Sequence, residues 1–457
     1  MHTLDLYYTT GVSGWRITGQ RIVRNGVERE VAGVPAMTRQ TDVKNVFTCK
    51  AAMVLAIEPS RRTCPHCGSE GVVLYEERKR RIQCHSIGRM RAFVEASVGH
   101  CHCPHCGRMH YAHLPFLSSP KATMTRALER TVVELRSAMS ISDVARLYGL
   151  TWESVKNAEK RALEAKYRTV PLKDVTIIGV DELYVFRHER PNRKYVTVVR
   201  DLETGAVLNV SRGKGGDALR MFASRVRKQK PRIACVCMDM SNAYESWVRK
   251  NLPDAQIVFD HFHLVKAIND RIDKIRRRTM AKLVAEHRAT LASEDADERK
   301  KRLAGKAVES LRKELKGQRY LPLRNAEDLD DKGRRKLQKI LDHHEELSKA
   351  YALKEDLRLV YSTAKDAADA SLLLAGWIEK ARASKVREMV SAADMVEEHL
   401  EGILGFWRFR NATNAKAEGF NGKIRWLIRQ ACGYHDYKYF RLKVFDLPNL
   451  KARDSDC

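Results

Sequence analysis

The stretch Val175-Thr176-Ile177-Ile178-Gly179-Val180-Asp181 decides the fold, because a short apolar run that leads into a carboxylate is typical of a buried strand. A second such run, Ile233-Ala234-Cys235-Val236-Cys237-Met238, leads into Asp239. Turn signals at residues 191–193 and 201–205 separate further apolar runs between the two. We therefore predict an antiparallel meander after the first strand, with its runs at residues 183–186, 194–200 and 206–211.

The order of elements across residues 172–264 predicts which strands are neighbours. A helix at about 217–228 follows the meander, and then come the strand that ends at Asp239, a helix near 242–250 and a strand at 255–259. Three strands followed by helix, strand, helix and strand is the ribonuclease-H-like order, in which the first and fourth strands lie side by side. We therefore expect an α/β fold that places Asp181 beside Asp239.

A third carboxylate, Glu418, lies on a helix predicted over residues 414–430. Helical periodicity separates this segment into an apolar face with Phe420, Ile424, Leu427 and Ile428, and a polar stripe with Asn414, Glu418, Asn421 and Arg425. The apolar face can pack on the sheet while the polar stripe lines the site. Glu182 is the alternative to Asp181, but successive strand residues point to opposite faces, and we favour Asp181.

Carboxylates at the ends of neighbouring strands and on a helix form an oxygen-rich site suited to Mg²⁺ (or Mn²⁺). Such a site can hold two metal ions about 3.5–4 Å apart and cut or join phosphodiester bonds. The chain has 457 residues and a net charge of +27, which favours a polyanionic partner such as DNA. It has no apolar run of membrane-spanning length and no secretion signal at its start, so we expect a cytoplasmic protein that does not bind membranes.

A zinc site is predicted from the pentapeptide Cys-Pro-His-Cys-Gly, which occurs at residues 64–68 and again at residues 103–107. Two such knuckles supply four thiolates, Cys64, Cys67, Cys103 and Cys106, which suffice for a tetrahedral structural Zn²⁺. The long gap between the knuckles indicates an insertion or a long hairpin. Rival ligands remain, namely Cys101, Cys84, His85, His100 and His102, and Cys101 rather than Cys103 could be the third ligand.

A helix-turn-helix is indicated by residues 139–155. Ser142 can cap a first short helix, Gly149 makes the turn, and Thr151 caps a second helix. A second helix of this kind can enter the major groove of DNA. We predict that Lys156 and Arg161 on that helix bind DNA.

These motifs together resemble the ISL-three family of bacterial insertion-sequence transposases. The resemblance rests on Val236-Cys237-Met238-Asp239-Met240-Ser241, on Asp260-His261-Phe262-His263, and on the segment from Asn414 through Glu418-Gly419-Phe420-Asn421. It implies a DDE catalytic domain with Asp181, Asp239 and Glu418 as the triad. Asp260, His263, Asn414 and Asn421 are then expected to support the active site. The substrate would be double-stranded DNA, both terminal inverted repeats and target, and the enzyme is expected to form a homo-oligomer on the DNA ends.

The expected organisation is a β-like segment (1–60), a zinc-binding module (61–115), a helix-turn-helix domain (116–170) and a catalytic domain in two parts (171–264 and 411–457). An α-helical insertion at residues 265–410 separates the two parts, because Asp239 and Glu418 are too far apart in sequence for a direct return. Trp407 near its end is either a core residue or a platform for an unpaired base. Two other functions remain as alternatives: a non-catalytic zinc and helix-turn-helix DNA-binding regulator, and a ribonuclease-H-like nuclease without strand transfer.

Overall fold

A computed structural model describes residues 10–12, 14–24, 27–30, 51–59, 61–87, 90–186, 194–292, 297–315, 320–409 and 415–448. The chain divides into two compact units, Met1–Thr169 and Val170–Cys457. Each unit has its own hydrophobic core. Among the described residues, no helix is both long enough and apolar enough to cross a membrane.

The first unit is built on a six-stranded sheet. Its strands are β1 (Trp15–Arg24), β2 (Val27–Glu30), β3 (Ala51–Pro59), β4 (Val73–Ile87), β5 (Met90–His102) and β6 (Met109–Tyr111). The order is β2-β1-β3-β5-β4, with β6 also paired to β5. The gap between the two knuckles is therefore a long antiparallel hairpin, β4 and β5, as the sequence allowed. Strand β3 pairs with β5, so the N-terminal segment and the cysteine-rich segment share one sheet.

Three helices complete the first unit: α1 (Arg126–Leu135), α2 (Ile141–Tyr148) and α3 (Trp152–Lys166). Ser140, rather than the predicted Ser142, caps α2, because its hydroxyl accepts a hydrogen bond from the backbone N–H of Asp143. Gly149 ends α2 with φ of 63°, a conformation that favours glycine, and Thr151 caps α3 as predicted. Val144 and Val155 are fully buried between the helices.

The second unit contains a five-stranded sheet with the order β11-β10-β7-β8-β9. Its strands are β7 (Ile177–Tyr184), β8 (Tyr195–Asp201), β9 (Val207–Arg212), β10 (Cys235–Met238) and β11 (Gln256–Phe259). The first three are antiparallel, and β10 is parallel to both β7 and β11. The first and fourth strands of this unit are therefore neighbours, as predicted. Helices α4 (Arg220–Gln229) and α5 (Asn242–Asn251) lie between the later strands in sequence.

One prediction for this sheet is corrected. Strand β7 does not end at Asp181 but continues to Tyr184, so it takes in residues of both the 175–180 run and the 183–186 run. The reason is that the whole of β8 pairs with β7, along residues Ile178 to Tyr184 of β7. Asp181 thus lies where β10 ends on one side of β7 while β8 continues on the other.

The segment after β11 is helical, as expected. It forms α6 (His261–Ala292), α7 (Glu298–Leu315), α8 (Asp331–His343), α9 (Glu345–Thr363), α10 (Ala367–Ala383), α11 (Arg387–Glu398) and α12 (Leu400–Arg408), and α13 (Ala415–Gln430) and α14 (Tyr437–Asp446) follow. Several of these helices bury apolar side chains in the same core as the sheet. Trp407 stacks on Tyr361 at 4.9 Å and donates a hydrogen bond to the carbonyl of Ala364, so it packs inside the unit.

Candidate active site, cysteine cluster and DNA-binding helices

Asp181 and Asp239 are brought together by the parallel pairing of β7 and β10. Gly179 lies opposite Cys237 in this register, and the next residue of each strand that points to the same face is the aspartate. Burial, and then the neighbouring negative charge of Asp239, raise the pKa of Asp181 to about 6. Two neighbouring carboxylates repel each other when both are ionised, unless a proton or a cation lies between them.

Helix α13 reaches the same site through Asn421. The amide of Asn421 donates a hydrogen bond of 2.6 Å to one oxygen of Asp181, and the backbone N–H of Glu182 donates one of 2.7 Å to the other. Both oxygens of Asp181 therefore have fixed directions. The sequence predicted Asn421 as a supporting residue, and the structure brings it into contact with Asp181.

Arg200 holds α13 against the sheet. Its guanidinium lies 4.2 Å from the ring centroid of Phe420, the residue before Asn421, and it donates a hydrogen bond of 2.9 Å to the carbonyl of Gly205. Arg200 pairs across the sheet with Gly179, which has no side chain. The sequence analysis missed Arg200, although the glycine inside an apolar strand was a signal of close approach.

Glu418 lies on α13, three residues before Asn421 and so on the same side of the helix. Its side chain is outside the described part of the structure, as is the whole of Asn414. The positions predicted for these two side chains are therefore not tested by the geometry.

His263 and Asp260 form a second layer around Asp239. The Nδ1 atom of His263 lies 2.8 Å from a carboxylate oxygen of Asp239 and 3.6 Å from one of Asp260. Burial lowers the pKa of His263, but the two carboxylates outweigh it and raise that pKa to about 10. Asp260 is almost fully buried. His263 thus holds a positive charge against Asp239 and fixes the position of that carboxylate, and Asp260 holds the imidazole from the other side.

Glu182 points away from this site. Its carboxylate accepts a hydrogen bond of 2.6 Å from the hydroxyl of Tyr244 and one of 3.2 Å from the backbone N–H of Gly215. This geometry supports the preference for Asp181 over Glu182. It also gives a role to Tyr244, which the sequence analysis left without one.

The cysteine cluster is the second candidate metal site. The Sγ atoms of Cys64, Cys67, Cys103 and Cys106 all lie within 4.8 Å of one another. The Cys64–Cys106 and Cys67–Cys103 pairs are 3.7 Å and 3.6 Å apart. Tetrahedral zinc with Zn–S bonds of about 2.3 Å requires sulfurs about 3.8 Å apart, so the cluster fits that ion. Hydrogen bonds from Ser69 lower the pKa of Cys67 to about 5, which favours the thiolate.

Cys101 packs against the cluster but is not one of its four mutually close thiols. Cys101 is buried, and its thiol lies 4.0 Å from the carbonyl oxygen of Gly99. Cys84 is fully buried in the sheet, and His85 contacts the hydroxyl of Thr131 at 2.8 Å. The geometry therefore favours Cys103 over Cys101 as the third ligand.

The two DNA-binding residues predicted on α3 differ in their surroundings. Lys156 places its ammonium 5.6 Å from the ring centroid of Trp152, whose side chain is 48% exposed on the outer face of α3. Arg161 instead donates two hydrogen bonds, of 2.9 and 2.6 Å, to Glu129 of α1. This ion pair favours a role for Arg161 in packing α3 on α1 rather than in binding phosphate.

Comparison with known families decides what kind of protein carries these sites. Residues 178–444, more than half of the chain, match the family described as "Transposase", and residues 112–163 match the "Helix-turn-helix domain of transposase family ISL3". The chain belongs to the ISL3 transposase family. This is the ISL-three family that the sequence motifs resemble.

The transposase has relatives of similar length. It is 28% identical over 384 residues to the "Transposase for insertion sequence element IS1001" of Bordetella parapertussis, which covers 83% of this chain and 87% of that protein. It is also 28% identical over 380 residues to the "Transposase for insertion sequence element IS1557" of Mycobacterium tuberculosis, with 82% of each chain covered. Among solved structures, the "Drosophila P element transposase strand transfer complex" is matched over 72% of this chain and 92% of that chain, with 12% identity and a TM-score of 0.34.

Family membership fixes the broad chemistry. The transposase is an enzyme of the DDE type, which implies the use of a divalent metal. The helix-turn-helix match supports binding to DNA. The cysteine cluster could hold zinc.

Proposed function

We propose that this transposase binds the terminal inverted repeats of an insertion sequence and catalyses DNA strand cleavage and strand transfer with Asp181, Asp239 and Glu418. The observation that carries the proposal is the parallel pairing of β7 and β10, which sets Asp181 beside Asp239 at one edge of the sheet. The strand order β11-β10-β7-β8-β9 supports a ribonuclease-H-like catalytic domain. Helix α13 contacts the same site through Asn421, and Glu418 lies one turn earlier on that helix.

The donor set fits Mg²⁺ or Mn²⁺. Asp181 and Asp239 offer hard oxygen ligands, and burial together with the charge of Asp239 raises the pKa of Asp181, a penalty on the ionised carboxyl that a divalent cation would relieve. When bound by Asp181, Asp239 and Glu418, the metal would activate the attacking oxygen and stabilise the leaving one. Asn421 keeps Asp181 in a fixed orientation, and His263 with Asp260 does the same for Asp239.

The first unit supplies recognition in this proposal. Helix α3 would enter the major groove of the terminal repeat, with Trp152 and Lys156 on its outer face. Zn²⁺ would be held by Cys64, Cys67, Cys103 and Cys106, and it would join the two knuckles at the ends of the β4–β5 hairpin.

The proposal also covers the division of the chain into segments, the place where the enzyme acts and its assembly on DNA. The proposed segments are residues 1–60 and 61–115, which share one sheet, followed by 116–170, 171–264, 265–410 and 411–457. The enzyme would act in the cytoplasm of a bacterium, on the nucleoid. It would assemble as a homo-oligomer on the paired DNA ends and join them to double-stranded target DNA.

The test is strand cleavage and joining on a labelled terminal repeat in Mg²⁺, with gel-shift binding measured on the same samples. Asp181→Asn, Asp239→Asn and Glu418→Gln should each lower cleavage on the order of 100-fold or more, because each removes a charge from the metal site. Binding should stay within about twofold, since it rests on the first unit. Asp217→Asn, an exposed carboxylate of the same unit, is the matched control and should cleave normally.

Different failures separate the competing functions. Cleavage without any joined product would support a nuclease, and binding without cleavage by the wild type would support a regulator. Normal cleavage by Asp239→Asn would refute the proposed site itself.

A further inference from the structure

A row of side chains on α13 leads from the proposed active site to the protein surface. Asn421, Arg425 and Arg429 follow one another at intervals of four residues, so each side chain neighbours the next along one side of the helix. Asn421 is almost fully buried with its amide on Asp181, whereas Arg425 and Arg429 are exposed. The two arginines, which we call the arginine row, lie roughly 6 and 12 Å beyond Asn421 along the helix axis.

The buried side of α13 fixes the direction in which the arginine row faces. Phe420, Ile424 and Leu427 are buried on one side of the helix. The hydrogen bond from Asn421 to Asp181 holds a second side. Two attachments at different angles around the axis prevent the helix from rotating. The row therefore leaves the site at a fixed angle, next to the side chain that contacts Asp181.

The space beside the arginine row is open. A Cβ atom added to Gly422, three residues before Arg425, would meet no atom within 4 Å. The indole of Trp426, next to Arg425 in sequence, is 49% exposed. Within the residues that the structure describes, neither guanidinium of the row is paired with a carboxylate or hydrogen-bonded to another group. The row therefore presents free donors to solvent.

The charge along α13 changes sign between the active site and the arginine row. Residues 419–430 contain Lys423 and the two arginines of the row, and they contain no acid. Asp181 and Asp239 place negative charge at the inner end of the row. A polyanion that approaches these two carboxylates is repelled there and attracted along the row. The row thus offsets the repulsion that a phosphate chain meets at the site.

We propose that the arginine row binds phosphates of the DNA strand that carries the scissile bond, directly beside the active site. Guanidinium groups present paired N–H donors that match the oxygens of a phosphate. Two such groups on successive turns of one helix side can each take a neighbouring phosphate of the same strand. The strand would then be aligned with its scissile phosphate at Asp181 and Asp239.

The inference rests on the proposed function, because the row is placed by its distance from Asp181 and Asp239. It adds the two residues that would hold the substrate strand outside the metal site. It also assigns them one kind of ligand, the phosphate group, and no preference for any base. Cleavage of every sequence that the enzyme accepts should therefore depend on the row to the same extent.

An arginine near the end of a helix can also stabilise the helix itself. Arg429 lies in the last turn of α13, where a cation interacts favourably with the helix dipole. Arg425 lies further from that end and lacks this role. The two roles differ in what they predict, since helix stabilisation is independent of the DNA, whereas a phosphate contact requires the charge of one particular phosphate.

The experiment uses the full-length protein and terminal-repeat duplexes in which single phosphates are replaced by uncharged methylphosphonates. The replacements cover the first four phosphates on each side of the cleavage site, one duplex for each. Wild type should lose about tenfold in kcat/KM at one or two of these positions, because a charged hydrogen bond is lost there. Arg425→Gln should be about tenfold slower on unmodified DNA and should lose nothing more at the position that Arg425 contacts. Arg429→Gln should behave in the same way at the neighbouring position.

Two further variants serve as controls. Arg425→Lys keeps the positive charge and should recover most of the rate, since lysine also binds phosphate. Arg220→Gln removes an exposed arginine from α4, which packs on the face of β7 that carries Ile178 and Val180, opposite to Asp181. This variant should keep both the rate of wild type and its sensitivity to each methylphosphonate.

A binding measurement accompanies cleavage and does not require activity. Binding of the unmodified duplex is measured against salt concentration in Ca²⁺ in place of Mg²⁺. The double variant Arg425→Gln/Arg429→Gln should reduce the slope by about two phosphate contacts relative to wild type. Arg220→Gln should leave the slope unchanged.

Three results would overturn the arginine row: no sensitive phosphate in wild type, the same additional loss at that phosphate in Arg425→Gln as in wild type, or an unchanged salt slope in the double variant. Should Arg425→Gln unfold at a lower temperature, the comparison of its own two substrates still decides, because the protein is the same in both. Failure of wild type to cleave any duplex would refute the proposed function instead. A reduced salt slope would in that case still support the row as a phosphate-binding surface.

Discussion

Replacing Asp181 by asparagine should stabilise the metal-free protein at neutral and alkaline pH. The folded protein raises the pKa of this carboxyl from 3.8 to about 6, because the group is buried and faces Asp239. This difference in pKa corresponds to roughly 3 kcal/mol of unfavourable free energy when the group is ionised. Asparagine removes this charge while keeping the size of the side chain.

The substitution also has a cost. Asp181 accepts hydrogen bonds from Asn421 and from the backbone of Glu182, one on each oxygen, and an amide has only one acceptor oxygen. Losing one of these bonds costs about 1 kcal/mol. We therefore expect a net stabilisation of about 1–2 kcal/mol for Asp181→Asn at pH 8 in EDTA.

The sign of the pH dependence follows from proton linkage. Between pH 3.8 and about 6 the folded wild type binds more protons at Asp181 than the unfolded chain, so its stability falls as pH rises through that window. Above this pH window the carboxyl of Asp181 is ionised in the folded protein, and the whole unfavourable free energy of its charge is present. At pH 4.5 only about a third of the penalty remains, roughly 1 kcal/mol, and the lost hydrogen bond offsets it. The advantage of Asp181→Asn should therefore vanish on acidification.

Urea unfolding followed by tryptophan fluorescence measures this difference, with exposed Asp217→Asn as the control that should show no shift. Millimolar Mg²⁺ should reverse the order at pH 8, because only the wild type gains stability from the bound metal. A lower midpoint for Asp181→Asn at pH 8 in EDTA would refute the reasoning. So would the same stabilisation at pH 8 and pH 4.5, since charge repulsion could not then be its source.

Three further predictions concern other parts of the molecule. Cys67→Ser should abolish bound zinc, measured by elemental analysis, and lower the stability of the first unit, whereas Cys101→Ser should retain one zinc per chain. Lys156→Ala should weaken binding to the terminal repeat and flatten its salt dependence by about one phosphate contact, and an unchanged slope in a salt titration would contradict this. Arg200→Lys should slow cleavage about tenfold without changing repeat binding, because lysine keeps the charge but loses the planar contact with Phe420 worth about 1–2 kcal/mol. Cleavage kinetics equal to wild type would show that α13 does not depend on Arg200.

The motifs that lie within short stretches could be predicted from the sequence. Repeated knuckles showed where four thiolates would meet, since a knuckle is a local turn with fixed spacing. The apolar runs before Asp181 and Asp239 predicted two buried strands, and the order of elements predicted that these strands are neighbours. Helical periodicity predicted the helix that carries Glu418 and a polar stripe that lines the site, and the contact of Asn421 with Asp181 agrees with that prediction.

The partners of side chains far apart in sequence could not be predicted. Periodicity did not show that β7 passes through Asp181 to Tyr184, because the length of a strand is set by the neighbour that pairs with it. It did not show that Arg161 pairs with Glu129 or that Arg200 lies on Phe420, because such contacts depend on how whole elements pack.

The sequence by itself thus determined the kinds of residue at each site and the elements that carry them, because hydrogen bonding and periodicity within an element are local. The tertiary structure alone decided which partners these side chains meet, since Glu182 accepts a hydrogen bond from Tyr244 and Asp181 accepts one from Asn421. Adjacent strand residues face opposite sides of the sheet, which the sequence predicts, and only the packing of helices on each side decides which groups each face meets.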